Sequence, residues 1–351
     1  MALYVDIEKR CGDFKLRVHF ETEKEMFAIL GASGCGKSLT LKCIAGIEKP
    51  DTGVIKLDDT VFFDSAKKIN VPTRKRGIGY LFQDYALFPN MTVFQNIMCG
   101  AGDKKKTREY IRKFFLEEQE QLYPAQLSGG QKQRTALARM LAQSPRLVMF
   151  DEPFSALDNY LKTKLEREVM NVMEEFDNGG IFVSHDRNEV YRLTDRIAVM
   201  ENGSIVDIQD KHGIFDAPKT LAATLLTGCK NITRLAMQED GCYALDWGMM
   251  LSIPKQSAQA GKTFQYAGVR AHFLELANEG EKDEENVIAC EIMRVIEDTF
   301  SMVVLFTNKN AVEKTGYAVM TYELSKEDWQ SVKDKPLYLK IPADKLILME
   351  R

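Results

Sequence analysis

Apolar runs and amphipathic segments alternate along the first two-thirds of the chain. Met26–Leu30, Arg146–Phe150 and Ile181–Ser184 are short apolar runs, which are typical of buried strands. Lys37–Ala45 has a helical pattern, and the segment after Asp158 repeats apolar residues at three- and four-residue spacing. This alternation predicts an α/β fold with a mostly parallel sheet, whose ligand lies at the carboxyl ends of the strands.

Two further changes of pattern mark substructures within this region. Between Asp84 and Gln126 an aromatic cluster gives way to a charged segment, Lys104–Gln121, which predicts a helical subdomain at about residues 84–127. Further on, Arg196–Met200 and Ser204–Ile208 flank an Asn-Gly pair, which is a hairpin signal.

After about Gly228 the pattern changes to short strands joined by polar turns. The predicted strands are Val287–Glu297, Ser301–Phe306, Tyr317–Tyr322 and Leu337–Ile341. Only Lys326–Val332 has a helical pattern there. We therefore expect two domains, residues 1–228 and residues 229–351, the second of them all-β and barrel-like with its own core.

Composition narrows the class of protein. With 351 residues, 45% hydrophobic and 28% charged, the chain is typical of a two-domain soluble globular protein. It has no apolar run of about 18 residues, and we expect no secretory leader. A formal net charge of −4 argues against nucleic acid as a partner. Seven scattered cysteines without a C-x-x-C pair fit a reducing cytoplasm rather than a disulfide framework or a zinc site.

The segment between the first predicted strand and helix carries the strongest chemical signal. It matches the phosphate-binding pattern G-x-x-x-x-G-K-[ST] without a mismatch. Glycines let successive backbone N–H groups point at phosphate oxygens, and the start of the helix adds its positive end. Lys37 can reach the β- and γ-phosphates, and Ser38 can offer its hydroxyl to Mg²⁺. The predicted nucleotide-binding residues are Gly31, Ala32, Ser33, Gly34, Cys35, Gly36, Lys37 and Ser38.

Four polar side chains follow predicted strands at the same edge of the expected sheet: Gln83, Asp151, Glu152 and His185. Asp151 can hold the Mg²⁺ shell, and Glu152 can orient or deprotonate the attacking water. Two alternatives remain, since an acidic strand end can cap the next helix and an isolated histidine is more often structural.

A second anion-binding helix start is expected further along the chain. Ser128 is placed to cap a helix that runs to about Gln143, which leaves N–H groups from Gly129 and Gly130 at its start.

In this order the motifs resemble those of ABC transporter ATPases, over about two-thirds of the chain. Gly31–Ser38 resembles the Walker A motif, Gln83 the Q-loop, Leu127–Gln131 the signature and Asp151-Glu152 the Walker B motif with its catalytic glutamate. Ser155–Asp158 resembles the D-loop and His185 the switch histidine.

The resemblance implies a P-loop ATPase core and assigns roles within it. It implies ATP and Mg²⁺ as ligands, with Glu152 and His185 catalytic. It places Ser38, Gln83 and Asp151 at the metal. It also implies a homodimer in which one subunit's phosphate loop and the other's signature clamp the same ATP. The implied nucleotide contacts beyond the phosphate loop are Leu39, Gln83, Ser128, Gly129, Gly130, Gln131 and Asp158.

Two positions depart from the family pattern. Leu39 stands where family members often carry Ser or Thr, so one side-chain bond to the α-phosphate is lost while the backbone N–H remains. No aromatic residue matches the expected adenine-stacking position. Phe14 is the nearest ring, and it fits a core position equally well.

Within the family, a β-domain (TOBE/OB-like) behind the ATPase resembles the importer class. Leu221–Ile232 and Ala244–Gly248 look most like the molybdate/sulfate type. This implies transmembrane permease subunits as partners, indirectly a solute-binding protein, and a position at the cytoplasmic face of the membrane. A sugar, iron or polyamine importer is the alternative, and a non-transport ABC protein is a further one.

Two segments carry more specific expectations. Tyr80, Phe82, Tyr85, Leu87 and Phe88 surround Gln83, and we expect the exposed rings among them to form a groove for a membrane subunit. Some molybdate-type members bind an oxyanion in the β-domain. At the corresponding turn, Glu281–Asn286, only Asn286 matches that pattern and four carboxylates crowd the turn. We therefore expect no oxyanion binding there.

Overall fold

The computed structural model describes residues 2–154, 159–175, 179–238, 241–253 and 264–350. The chain divides into two compact units, Met1–Lys211 and His212–Arg351. Residues 212–228, which precede the predicted boundary, thereby fall within the second unit. No helix in the described ranges is long and apolar enough to cross a bilayer.

The first unit contains eleven described strands and six described helices. The strands are β1 (Leu3–Cys11), β2 (Phe14–Thr22), β3 (Met26–Gly31), β4 (Thr52–Leu57), β5 (Thr60–Asp64), β6 (Ile69–Asn70), β7 (Ile78–Leu81), β8 (Leu147–Asp151), β9 (Gly180–Ser184), β10 (Arg196–Glu201) and β11 (Ser204–Asp210). The helices are α1 (Lys37–Ala45), α2 (Val93–Ala101), α3 (Lys104–Lys113), α4 (Gly129–Leu141), α5 (Asn159–Glu175) and α6 (Arg187–Leu193).

These strands form one sheet, in the order β6-β5-β4-β1-β2-β11-β10-β3-β9-β8-β7. The pairs β10–β3, β3–β9, β9–β8 and β8–β7 are parallel, and so is the pair β2–β11. The pairs β1–β2, β1–β4, β4–β5, β5–β6 and β10–β11 are antiparallel. Five of the ten described strand pairs are therefore antiparallel, and the expectation of a mostly parallel sheet is wrong for that half. Four of these five pairs are joined by short turns, which can connect only antiparallel strands. The hairpin predicted at the Asn-Gly pair is confirmed as β10–β11.

The parallel strands form the centre of the unit. Every residue of β8 and of β9 is buried, which explains why both segments read as continuous apolar runs. Helix α1 runs from Lys37 to Ala45 as predicted and ends at Gly46, whose φ of 78° lies in the left-handed region that favours glycine.

The predicted helical subdomain, residues 84–127, contains α2, α3 and two short 3₁₀ turns. Its charged helix is shorter than predicted, because α3 ends at Lys113 rather than Gln121. Phe114 and Leu116 are both buried, and the chain turns through Phe115, with φ of 51°, to bury them. Burial of these two side chains thus ends the helix.

The second unit is built mainly from antiparallel strands. Its helices are α7 (Lys211–Asp216), α8 (Leu221–Leu226) and α9 (Lys326–Val332) among the described residues. Its described strands are β12 (Asn231–Gln238), β13 (Gly241–Ala244), β14 (Met249–Leu251), β15 (Tyr266–Val269), β16 (Glu275–Ala277), β17 (Val287–Glu297), β18 (Ser301–Asn308), β19 (Met320–Ser325), β20 (Tyr338–Lys340) and β21 (Ile347–Met349).

The described strands of this unit form two five-stranded sheets, β14-β13-β12-β15-β21 and β16-β20-β17-β18-β19. They enclose their own core around Trp247, as predicted for an all-β domain. The strand predicted from Tyr317 begins only at Met320, because Gly316–Ala318 forms a 3₁₀ turn that buries Ala318.

Candidate functional site

The phosphate-binding loop connects β3 to α1 at the carboxyl edge of the parallel strands. Gly34 and Gly36 have φ of 81° and 112°, a region that other residues rarely adopt. A methyl group on Gly31 would lie 2.6 Å from Cys35 Sγ and from the Met200 carbonyl oxygen, so only glycine fits. The first N–H groups of α1 have no partner within the helix, as at any helix start. The loop therefore has the shape that its sequence predicts.

Lys37 is held inside this loop and is only 4% exposed. Its ammonium donates to the carbonyl oxygens of Gly31 and Ala32 at 2.9 and 3.0 Å. It also lies 3.5 Å from Glu152 Oε1. A positive charge is thus fixed between the loop and the end of β8.

Ser38 and Asp151 meet at the same edge. The Ser38 hydroxyl donates to Asp151 Oδ1 at 2.7 Å, and the Tyr80 hydroxyl donates to Asp151 Oδ2 at 2.8 Å. Burial, and then the charge of Asp151, raise the pKa of the Tyr80 phenol, which therefore stays a donor. Both oxygens of this carboxylate are occupied by hydroxyl donors.

Glu152 follows β8 in a backbone conformation with φ of 46°, which is uncommon for a residue with a side chain. Its N–H donates to the Val183 carbonyl oxygen at 3.0 Å, which ties it to β9. Its Oε2 lies 3.2 Å from His185 Nδ1, and its Oε1 faces Lys37. The carboxylate thus lies between an ammonium and an imidazole.

Charged residues hold the turn that carries His185 in position. The Ser184 hydroxyl donates to Glu189 Oε2 at 2.6 Å and accepts from the Asp186 N–H at 2.9 Å. Lys162 of α5 contacts Asp186 Oδ2 at 2.5 Å and Glu189 Oε1 at 2.6 Å. Burial acts to lower the pKa of Lys162, but its bonds to Asp186 and Glu189 outweigh that effect and raise the pKa. The residues on both sides of His185 are therefore anchored.

The residues after Gln83 correct one expectation. Gln83 is exposed and lies two residues beyond β7. Tyr85, which we expected in an exposed groove, is buried, and its hydroxyl lies 3.5 Å from Gln133 Oε1. Phe88 remains 46% exposed, with the Arg139 guanidinium 5.1 Å from its ring centre.

The reason lies in the turn at Tyr85 and Ala86. Both residues have positive φ, and Arg139 of α4 donates to both of their carbonyl oxygens, at 3.0 and 2.8 Å. This backbone conformation turns the Tyr85 ring inward.

The predicted signature lies at the start of α4 and not in the hydrogen-bonded group around Asp151. Ser128 caps the helix as predicted, since its hydroxyl accepts from the Gln131 N–H at 3.3 Å. The Gln131 side chain in turn accepts from the Ser128 N–H at 2.8 Å. Gly129 is exposed and Gly130 is buried at this end.

Three further predicted residues have other settings. The side chains of Leu39 and Phe14 both pack against the core of the first unit, which favours the core interpretation of Phe14. Burial raises the pKa of the Cys35 thiol more than Lys37 lowers it. Asp158 lies outside the described residues.

The structure thus brings five predicted residues together: Lys37, Ser38, Asp151, Glu152 and His185. Sequence reasoning missed Tyr80, which it assigned to the aromatic cluster, and the anchoring residue Lys162. The pairing of β7 with β8 places Tyr80 next to the strand that ends at Asp151. A tyrosine near the end of a buried strand was the available signal for it.

Several known proteins are similar to this chain. The ABC transporter family matches residues 16–155. The molybdate/tungstate import ATP-binding protein WtpC of Archaeoglobus fulgidus is 40% identical over 233 residues, which cover 65% of this chain and 95% of that protein. The chain belongs to the ABC transporter ATP-binding family.

Other relatives of this ABC protein serve different solutes. The Fe(3+) ions import ATP-binding protein FbpC of Haemophilus influenzae is 40% identical over 58% of this chain, and the aligned chain spans 60% of that protein's length. Among solved structures, the dimeric, post-hydrolysis ATP-binding cassette MJ0796 bound to ADP and Pi aligns with a TM-score of 0.51 and 28% identity. That alignment covers 60% of this chain and 99% of the cassette.

Proposed function

We propose that this ABC protein hydrolyses ATP at the carboxyl edge of its parallel strands. The observation that carries the proposal is the convergence of an ammonium, a hydroxyl, two carboxylates and an imidazole from the ends of β3, β8 and β9. A structural role alone does not require a lysine, a glutamate and a histidine in contact beside a glycine loop that opens a helix.

The loop binds the triphosphate. Backbone N–H groups at the start of α1 face the phosphate oxygens, and the end of the helix adds positive potential. The Lys37 ammonium moves from the carbonyl oxygens of Gly31 and Ala32 to the β- and γ-phosphates. This exchange replaces neutral acceptors by charged ones, which form stronger hydrogen bonds.

Ser38, Asp151 and Gln83 are the residues that would hold Mg²⁺. A hydroxyl, a carboxylate and an amide offer the hard oxygen ligands that this ion prefers, and Ser38 and Asp151 are already in contact. When bound, Mg²⁺ neutralises charge that develops on the phosphate oxygens.

Glu152 acts on the attacking water. Its carboxylate accepts the water proton, and His185 at 3.2 Å holds the carboxylate in place. The ion pairs of Lys162 keep the histidine-bearing turn in position.

The composite site is completed by a second copy of the chain. Gly129 and the cap of α4 face the nucleotide of the partner copy in a head-to-tail dimer, together with Gln131 and Asp158. The MJ0796 cassette, described as dimeric, supports this assembly.

The dimer energises transmembrane permease subunits at the cytoplasmic face of the membrane, supplied by a solute-binding protein. Exposed Phe88 lies in the segment that contacts them. The solute is an oxyanion such as molybdate or sulfate, which the WtpC relative and a sulfate/thiosulfate import protein of Mannheimia succiniciproducens support. A second candidate is iron or a polyamine, since import proteins for these solutes reach similar identity.

Replacement of Glu152 tests the proposal. Glu152→Gln should retain ATP binding but lose about 10²–10⁴-fold in hydrolysis rate, because the general base is removed. Size-exclusion chromatography with Mg-ATP should then show an accumulated dimer. Glu201→Gln, an exposed glutamate at the end of β10, is the matched control. Hydrolysis by Glu152→Gln at the wild-type rate would refute the assignment.

A further inference from the structure

Asp151 is held through both of its oxygens by side chains from two different parts of the sheet. Ser38 reaches Oδ1 from the start of α1, and Tyr80 reaches Oδ2 from β7. Asp151 is only 5% exposed, so little water can reach its carboxylate. The Tyr80 hydroxyl supplies the hydrogen bond that water would supply to an exposed carboxylate. These two donors fix the plane of the carboxylate.

The Tyr80 ring itself has little freedom. It packs against the core of the first unit, and its centre lies 4.2 Å from that of the Phe82 ring. β7 is hydrogen-bonded to β8 in parallel register, with Tyr80 opposite Met149. A side chain with two rotatable bonds and a packed ring places its hydroxyl at low entropic cost.

We propose that Tyr80 is a positioning residue that orients Asp151 for the metal and thereby sets the affinity of the site for Mg²⁺. The inference rests on the magnesium site of the proposed function. The Tyr80 hydroxyl does not touch the metal. It holds Oδ2, so that Oδ1 stays directed at Ser38, the other oxygen ligand.

The expected size of the effect follows from the general behaviour of residues behind metal ligands. Loss of a hydrogen bond to a ligating carboxylate typically costs 10–100-fold in metal affinity. The metal-free affinity for nucleotide should not change, because the deleted hydroxyl bonds to Asp151. The metal-dependent part of nucleotide binding therefore isolates the role of Tyr80.

The test compares the full-length protein with Tyr80→Phe and with Tyr85→Phe as a matched control. Both variants delete one tyrosine hydroxyl within the same segment, and the Tyr85 hydroxyl lies near Gln133 rather than Asp151. The affinity for a fluorescent ATP analogue is measured with EDTA and again with increasing Mg²⁺. Thermal unfolding of each variant checks that the fold is intact.

For Tyr80→Phe we expect unchanged affinity in EDTA and a 10–100-fold higher Mg²⁺ concentration at half-maximal enhancement of binding. Tyr85→Phe should follow the wild type in both conditions. Equal Mg²⁺ dependence in all three proteins would overturn the role of Tyr80 while leaving the ATPase assignment intact. A loss of affinity that is the same with and without Mg²⁺ would also overturn it. Absence of nucleotide binding by the wild type would instead overturn the proposed function.

Discussion

The two units each place a turn with charged side chains beside a strand, yet the two turns have opposite chemistry. In the first unit the turn after β3 presents backbone N–H groups and the ammonium of Lys37. In the second unit the turn before β17 lines a cleft with the carboxylates of Asp283, Glu284 and Glu285. We therefore expect the first turn to attract an anion and the second to repel one.

Asn286 matches the expected pattern, yet its side chain is engaged elsewhere in the fold. It is buried, with φ of 59°, and its side-chain amide is used within the fold. Its Oδ1 accepts from the Ser252 N–H at 2.8 Å, and its Nδ2 donates to the Ser252 carbonyl oxygen at 2.9 Å. Lys340 lies 2.9 Å from Glu284 and offsets one acid of the cleft. We therefore expect anion binding to require donors that remain available, and not only a turn of the right shape.

The largest expected effect is on nucleotide affinity at the turn of the first unit. Lys37→Met removes the buried ammonium, so nucleotide affinity should fall by about 10²–10⁴-fold, the equivalent of two charge-assisted hydrogen bonds. Titration of a fluorescent ATP analogue measures it. Lys42→Met, on the same helix, should bind like the wild type. Retained affinity in Lys37→Met would show that the backbone N–H groups suffice.

A second change would make a turn of the first unit resemble the acidic cleft. Lys162→Met leaves Asp186 and Glu189 without their shared cation, which should cost about 2–3 kcal/mol of unfolding free energy. Urea denaturation measures it. Lys162→Arg should restore most of the loss, and Lys164→Met, at an exposed position of the same helix, should have little effect. Equal loss in Lys164→Met would point to helix propensity instead.

This effect should also depend on pH. Burial acts to raise the pKa of Asp186, but the bonds from Lys162 and from backbone N–H groups outweigh that effect and hold the pKa below its usual range. The pair therefore contributes stability above the ordinary carboxyl range, and this contribution is lost as the pH falls through the lowered pKa. The difference between wild type and Lys162→Met should narrow on acidification, whereas a constant difference would contradict the assignment.

The smallest expected effect concerns oxyanion binding at the acidic cleft of the second unit. Calorimetric titration of the Lys37→Met protein with molybdate or tungstate should show no binding tighter than millimolar, because the phosphate loop is disabled and the acidic cleft repels dianions. The control is the same titration of a protein that carries Asn286→Ala in addition to Lys37→Met. Micromolar affinity that disappears in Asn286→Ala would contradict the comparison and identify an oxyanion site.

Local signals account for what the sequence predicted well. The phosphate loop, α1 with its end at Gly46, the cap at Ser128 and the Asn-Gly hairpin each depend on residues within a few positions of one another. The family resemblance then identified which strand ends would meet. The meeting of Lys37, Ser38, Asp151, Glu152 and His185 could therefore be predicted before any distance was known.

What could not be predicted depends on contacts between distant residues. Tyr80 and Asp151 are 71 positions apart, and only the neighbouring places of β7 and β8 bring them together. The charge pattern of α3 could not show that Phe114 and Leu116 must be buried beyond its end. The sequence could not show that Tyr85 has a left-handed backbone, which turns its ring inward. Arg139, from a helix more than 50 residues away, stabilises that backbone.

The length of helix α4 links the turn at Tyr85 and Ala86 to the glycines at the start of the helix. It has 13 residues and is about 20 Å long, with Gly129 and Gly130 at one end and Arg139 near the other. Arg139 donates to the carbonyl oxygens of Tyr85 and Ala86, and its guanidinium lies over the exposed ring of Phe88. Because a continuous helix joins the two ends, we expect a displacement of that turn to move Gly129 and Gly130 without bending α4.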